Sequence, residues 1–231
     1  MQCLKVKKFR HEIKHYINLS DAMAIKKRLS LIADLDKNAK SDGKYKVRSL
    51  YFDTLDDKVL MEKISGINNR EKFRIRYYNE DSKFIKLEKK SKVNGFVNKV
   101  STQISKEESE KILLGDISWM KNTQNNLLIE FYAKMKYQQL RPKTIVDYVR
   151  EAFVYKYGNV RITIDSNIQT GINSKKLFCH NVPVVRINKE NIIIFEVKYD
   201  EYLPEVIKGL IQVNSTFKTA FSKYMVSRIF N

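Results

Sequence analysis

Glycine is scarce in this 231-residue chain, at seven residues, and proline scarcer still, at three. That excludes collagen-like, low-complexity and linker segments. Two cysteines, Cys3 and Cys179, lie far apart; nothing demands a disulfide, and no Cys/His spacing suits a zinc site. No stretch approaches the ~18 apolar residues of a membrane span. The opening MQCLKVKKFRHEIKHY has no apolar run after its basic residues, so no signal peptide is expected and the expectation is a cytoplasmic, soluble protein. Carboxylates are the other shortage: 26 Asp and Glu face 44 Lys and Arg, a net charge of +18. Such an excess sets up a positive potential that draws in polyanions, whether nucleic acid, phosphorylated metabolites, polyphosphate or an anionic membrane surface.

What is present is globular: 43% hydrophobic residues with 11% aromatics, enough for a substantial core and one β-rich domain over residues 1–231. The cations are also ordered. In an extended chain successive side chains alternate between faces. Lys72, Arg74, Arg76 and Tyr78 therefore share one face, and Phe73, Ile75 and Tyr77 the other. After a polar turn at 79–82, Lys86, Glu88 and Lys90 share a face.

The same design recurs along the chain. A first strand over 7–17 puts Arg10, Glu12 and Lys14 together, and Ser20 is the expected N-cap of a helix with Ala22, Ile25, Leu29 and Ile32 as its apolar stripe. Strands are expected at 45–53, 70–78, 83–90 and 95–104, with a short helix from Thr54 to Gly66 that carries Lys63 in its last turn. Ser105 and Glu108 form a capping-box pattern, and 116–141 reads as mostly helical. Strands at 144–154 and 159–166 carry Arg150 and then Arg161, Thr163 and Asp165. A short strand is expected in VPVVRI, and NIIIFEVKYD is a near-continuous apolar strand broken by Glu196 and Lys198 on one face. A carboxylate inside so apolar a run needs a cation, from the protein or from a metal. Helices from Pro204 and over TAFSKYMVSRIF, which holds Lys223, close the chain.

Seven strands thus place ionisable residues on one face and apolar residues on the other. If such a sheet closes, the inner wall carries about twice as many cations as carboxylates, and a polyanion must supply the missing charge. The ordered set resembles the triphosphate tunnel metalloenzyme superfamily. It comprises Glu12 and Lys14 on the first strand, Arg74 and Arg76 in RIR, the LEKK strand, and the late EVK strand. Within that superfamily it is most similar to the polyphosphate-polymerase domain of the vacuolar transporter chaperone complex. SLYFDT, NREKFRIRYY, the Arg150 strand, RITID, FEVKYD and FSKY fit in order over residues 8–228.

The resemblance implies an α+β fold, an antiparallel eight-stranded closed β tunnel with helices packed on the outside. It implies a polymerase that moves the γ-phosphate of ATP onto polyphosphate and releases ADP, using a divalent metal, Mn2+ or Mg2+. Position by position, the family's phosphate-binding cations fall on Lys14, Lys63, Arg74, Arg76, Lys90, Lys99, Arg150 and Arg161, with a late lysine at Lys223 and the metal-binding glutamate at Glu196. Among these, Arg74, Arg76, Lys90, Arg150 and Arg161 are the expected catalytic set. Lys63 stands where the family can show arginine, which loses the bidentate fork. Arg70 and Lys86 join as substrate-binding residues because of their strand face.

Phosphoryl transfer needs positioning and charge neutralisation more than covalent help, and an acceptor phosphate is already ionised, so no general base is required. Two rivals remain. A tunnel triphosphatase would hold and activate water with glutamates and metal, from Glu12, Glu88, Asp165 and Glu196. A nucleic-acid module would need a stacking platform, and Tyr51, Tyr77 and Tyr148 are read as mixed between faces. The expected partners are ATP and polyphosphate, no nucleic acid, and a membrane partner that receives product remains open.

Overall fold

The protein is described from a computed structural model over residues 10–94, 96–171, 176–179, 181–187, 193–213, 217–218 and 221–229. The expectation for Cys3 falls outside these residues, as do the first residues of the 7–17 strand. Eleven strands form one antiparallel sheet: β1 (His11–Ile17), β2 (Asp34–Leu35), β3 (Lys44–Asp53), β4 (Arg70–Tyr78), β5 (Asp81–Val93), β6 (Phe96–Ile104), β7 (Arg141–Tyr155), β8 (Val160–Gly171), β9 (Val185–Arg186), β10 (Ile193–Tyr199) and β11 (Phe217–Lys218). Their order is β11-β1-β10-β8-β7-β3-β4-β5-β6, with β2 on β7 and β9 on β8. Six helices accompany them: α1 (Leu19–Leu29), α2 (Lys58–Ile64), α3 (Lys106–Leu114), α4 (Asn126–Tyr137), α5 (Glu205–Leu210) and α6 (Lys223–Ile229).

Eight of the strands are long, as expected, but the sheet is open. Among the described residues no ladder joins β6 to β1 or β11. It is nevertheless strongly curled. β1 and β5 lie six strand steps apart, roughly 29 Å in a flat sheet, yet Lys90 Nζ on β5 reaches Glu12 Oε2 on β1 at 3.1 Å. Among the described residues β1 and β5 approach through an ion pair of long side chains, and no backbone ladder joins the two ends of the sheet.

The strand period sorts the residues onto two faces. On the convex side α1 and α5 cover Phe153, Ile162, Ile164, Phe195 and Val197. There too α3 and α4 cover Leu50, Phe52, Phe73, Ile75 and Leu87. A third cluster fills part of the concave side, where Tyr45, Val47, Tyr51, Val146, Tyr148 and Ile194 meet Leu60 of α2 and Phe221 and Tyr224 at α6. The expectation that every helix packs outside is therefore corrected for α2 and α6. Their apolar residues find a partner only on the tyrosine-rich end of the inner face.

Helix starts follow local chemistry. Asn18, not Ser20, caps α1 by accepting from the Asp21 N–H. The helix ends at Leu29, so Ile32 lies beyond it and is 40% exposed. Ser105 and Glu108 form the expected reciprocal capping box of α3. The 116–141 segment divides, because the Asn125 side chain accepts from the Leu127 and Leu128 N–H groups and starts α4 afresh.

Candidate functional site

Cross-strand register builds the concave floor. On β1 and β10, Lys14 stands opposite Glu196, and Glu12 opposite Lys198. Arg74 of β4 stands opposite Glu88 of β5, and Arg150 of β7 opposite Asp165 of β8. Directly opposed opposite charges stabilise a sheet, and each of these pairs closes. Arg74 Nε donates to Glu88 Oε2 at 2.7 Å and its NH1 donates to the Tyr51 hydroxyl at 3.0 Å. Arg150 grips Asp165 with both prongs of its fork, at 2.6 and 2.7 Å. Lys14 Nζ lies 2.7 Å from Glu12 and 3.0 Å from Glu196, and Lys198 Nζ lies 2.6 Å from Glu196.

The carboxylates are nevertheless outnumbered. Lys14, Lys72, Arg74, Arg76, Lys90, Lys99, Arg150, Lys198 and Lys223 are nine floor cations, and Glu12, Glu88, Asp165 and Glu196 are the four carboxylates that pair with them. Each carboxylate is shared. Glu88 serves Arg74, Arg76 and Lys99; Asp165 serves Arg150 and Lys223. The Tyr148 ring adds a π face to three cations, with Arg76 at 5.8 Å, Arg150 at 5.2 Å and the Lys223 ammonium at 4.6 Å. One row opposes like charges outright: Lys72, Lys90 and Lys99 are register partners across β4, β5 and β6. Like charges directly opposed destabilise a sheet unless an anion lies over them.

The protonation states report this crowding. Burial and Glu196 push the Glu12 carboxyl up, but Lys90, Lys14 and Lys198 outweigh them and hold it down at about 2. Glu196 stays well below the usual carboxylate range because Lys198, Lys14 and Lys90 outweigh its burial. Glu88 is likewise lowered by Arg74, Arg76 and Lys99 against its own burial. Lysines with less carboxylate support fall: burial brings Lys99 to about 8 and Lys72 to about 7, and Lys90 is lowered too.

At one end the floor opens into a cavity of 640 Å³ lined by Glu12, Lys14, Lys63, Arg70, Lys72, Lys90 and Lys92, with Val59, Phe96 and Phe221 among its apolar walls. Of the residues expected from sequence, Lys14, Lys63, Arg70 and Lys90 line this cavity, while Arg74, Arg76, Arg150, Lys99 and Lys223 continue along the floor. Arg161 stands apart at one edge, held by Asp36 at 2.9 Å and the Tyr45 hydroxyl at 3.0 Å. Lys86 lies beside the Phe84 ring at 4.8 Å, on the far side of Glu88 from Lys90. The sequence reading placed Lys72 on the right face but left it out of the site, and took Lys198 only as a candidate partner for Glu196, a pair that forms at 2.6 Å. The two-residue period from Arg70 to Arg76 carried the signal for Lys72. The three tyrosines are divided between faces as expected: Tyr77 lies in the convex core, and Tyr51 and Tyr148 lie on the concave face.

Among the described residues no three acidic, histidine or cysteine side chains converge on one point. Glu12 and Glu196 do converge on a single lysine nitrogen, both ionised and both offering hard oxygens. A small divalent cation is commonly held by one or two carboxylates together with substrate phosphates. The donor set would suit such an ion, which Glu196 and Glu12 would hold, and does not fit an all-protein cage.

The fold is shared with a solved structure. A protein from Hippeastrum, described as a candidate adenylyl cyclase with a dominant triphosphatase activity, superposes with a TM-score of 0.53 at 15% identity, covering 96% of this chain and 95% of that one. A candidate adenylate cyclase from Bacillus halodurans gives 0.49 at 13% identity, with 88% and 86% covered. The Mimivirus capping enzyme triphosphatase gives 0.43 at 11%, with 91% and 92% covered. No curated protein matches the sequence. The family itself is settled by the sequence, since the VTC domain family matches residues 9–229 and the chain belongs to it.

Proposed function

We infer that residues 1–231 act as one domain that transfers the γ-phosphate of ATP onto a polyphosphate chain and releases ADP, with Mn2+ or Mg2+ as the divalent ion. One observation carries this reading: a concave floor of nine cations against four carboxylates, in a chain of the VTC family. A chain of phosphates is the polyanion that fits a groove, and such a groove leaves room for donor and acceptor together. Arg74, Arg76 and Arg150 hold equatorial oxygens, Lys14, Lys90, Lys99 and Lys223 neutralise the chain, and Lys63 and Arg70 receive it at the cavity. A bound metal would supply charge neutralisation between neighbouring phosphates. The acceptor phosphate needs no base. The reaction would run in the cytoplasm, where ATP is available, and no helix among the described residues is long and apolar enough to cross a membrane.

A triphosphatase is the second reading, favoured by the Hippeastrum structure and by Glu12 and Glu196 lying together. Nucleic-acid binding is disfavoured, because Tyr45, Tyr51 and Tyr148 are 2–3% exposed and offer no ring to a base. Incubation with ATP and Mn2+ separates the first two. A ladder of polymer on a gel supports transfer, and orthophosphate as sole product supports hydrolysis. Glu196→Ala and Arg74→Ala should each lower the rate on the order of 100-fold. Wild-type rates in both variants would refute the site.

A further inference from the structure

The row of three opposed lysines is unequal. Lys90 reaches across to Glu12 and Lys99 reaches back to Glu88. Lys72 has no carboxylate within ion-pair distance among the described residues, and its ammonium sits over the Tyr51 ring, 5.5 Å from the centroid. The Tyr51 oxygen accepts from Arg74 at 3.0 Å, a contact that favours the phenolate. Lysine and tyrosine thus lie together where the floor meets the 640 Å³ cavity.

We propose that Lys72, seated on Tyr51, is a proton-linked receptor for an incoming phosphate: as the anion docks, the couple takes up one proton from solvent, carried on the Lys72 amine. The idea rests on the phosphate-chain reading above and deepens it. Every element packed around the couple points the same way. From β4, Arg70 and Arg74 flank Lys72, and from β5 Lys90 and Lys92 approach it. β1 contributes Lys14, and α2 contributes Lys63. The acids in reach are committed: Glu12 to Lys14 and Lys90, and Glu88 to Arg74 and Lys99. From α6, Tyr224 packs on Tyr51 at 5.3 Å but gives its hydroxyl hydrogen to Asp53.

Protonation follows from that surrounding. Burial lowers Lys72, and with Lys90, Arg74 and Lys14 it outweighs the raising effect of Tyr51 and brings the amine to about 7; although burial raises Tyr51, Arg74, Lys72 and Arg76 bring it to about 7 as well. The two therefore titrate as a pair. Near neutrality the empty couple holds one ionisable proton between a phenol and an amine that can carry two. A docked phosphate favours the ammonium and draws in the second.

The test is calorimetric titration of the metal-free full chain with tripolyphosphate, in two buffers of different ionisation enthalpy, at pH 6.0 and pH 7.5. Wild type should take up close to one proton more at pH 7.5 than the ligand's own ionisation explains, and close to none at pH 6.0. Lys72→Arg, permanently charged, should bind without that uptake. Its affinity should fall several-fold less between pH 6.5 and 8 than that of wild type. Lys90 and Lys99 add their slope in both proteins, so the difference isolates Lys72. Wild-type uptake equal to the ligand's own at both pH values overturns the proposal without any variant, as does equal uptake in Lys72→Arg. Absence of tripolyphosphate binding by wild type would instead overturn the phosphate-chain reading.

Discussion

Asp165 is fully buried and carries two cations, Arg150 through a bidentate fork and Lys223 through a single contact. Its carboxyl is held well below the usual carboxylate range, because Arg150 and Lys223 outweigh its burial. Removing one member of a buried pair leaves the other charge uncompensated, at ~3–5 kcal/mol. Asp165→Ala should therefore unfold at markedly lower urea, and tripolyphosphate should stabilise it more than it stabilises wild type, because two floor cations are freed. Equal ligand-induced shifts in melting temperature would show that Arg150 and Lys223 do not face the ligand. Sequence alternation made Arg150 and Asp165 legible on neighbouring strands. It could not show that Lys223, 58 residues further on, closes the triad.

At the scale of elements, Asp53 ties the concave helices to the sheet. Its carboxylate accepts from the Thr54, Val59 and Leu60 N–H groups and from the Tyr224 hydroxyl, so one side chain holds the start of α2 and the face of α6. Arg228 to Asp57, at 2.8 Å, adds a second tie between those helices. Asp53→Ala should lose about 2 kcal/mol in urea unfolding, the upper range for a helix cap, and should weaken phosphate binding through displaced Lys63 and Lys223. A variant as stable as wild type would remove the tie from the account. The short helix after Thr54 was legible from its pattern and from Gly66, whose φ of +71° closes it. Its anchor was not, because Tyr224 lies 171 residues away. The division of 116–141 shows the opposite case, a local signal in which Asn125 is a good N-cap inside an otherwise helical composition.

For the whole molecule, the excess of cations sets the dependence on pH. Folded carboxylates lie below their unfolded values, with Glu12 at about 2 against 4.5. Their stabilisation is complete above the unfolded value and is lost as pH falls through the folded one. The urea midpoint should therefore fall between pH 5 and 2, and a flat profile there would contradict the pairing. Lys72 acts in the same direction but in a higher window, because there it is the neutral amine that folding favours. Its folded value of about 7 lies below 10.5, so the unfolded chain binds more protons between those limits and stability rises with pH across that window. Bound tripolyphosphate should flatten this rise, measurable as a smaller midpoint difference between pH 7 and 9.

The sequence by itself determined which residues share a face, since strand periodicity is local and fixes direction within a few residues. It also determined the sign of the charge on that face, and hence the polyanion. Only the tertiary structure decided that, among the described residues, the sheet stays open, Glu12 and Lys90 bridge β1 and β5, and Lys72 is the floor lysine without a carboxylate. Those outcomes depend on register and curl between strands far apart in the chain, where each ion pair is a choice among several cations that no local pattern distinguishes.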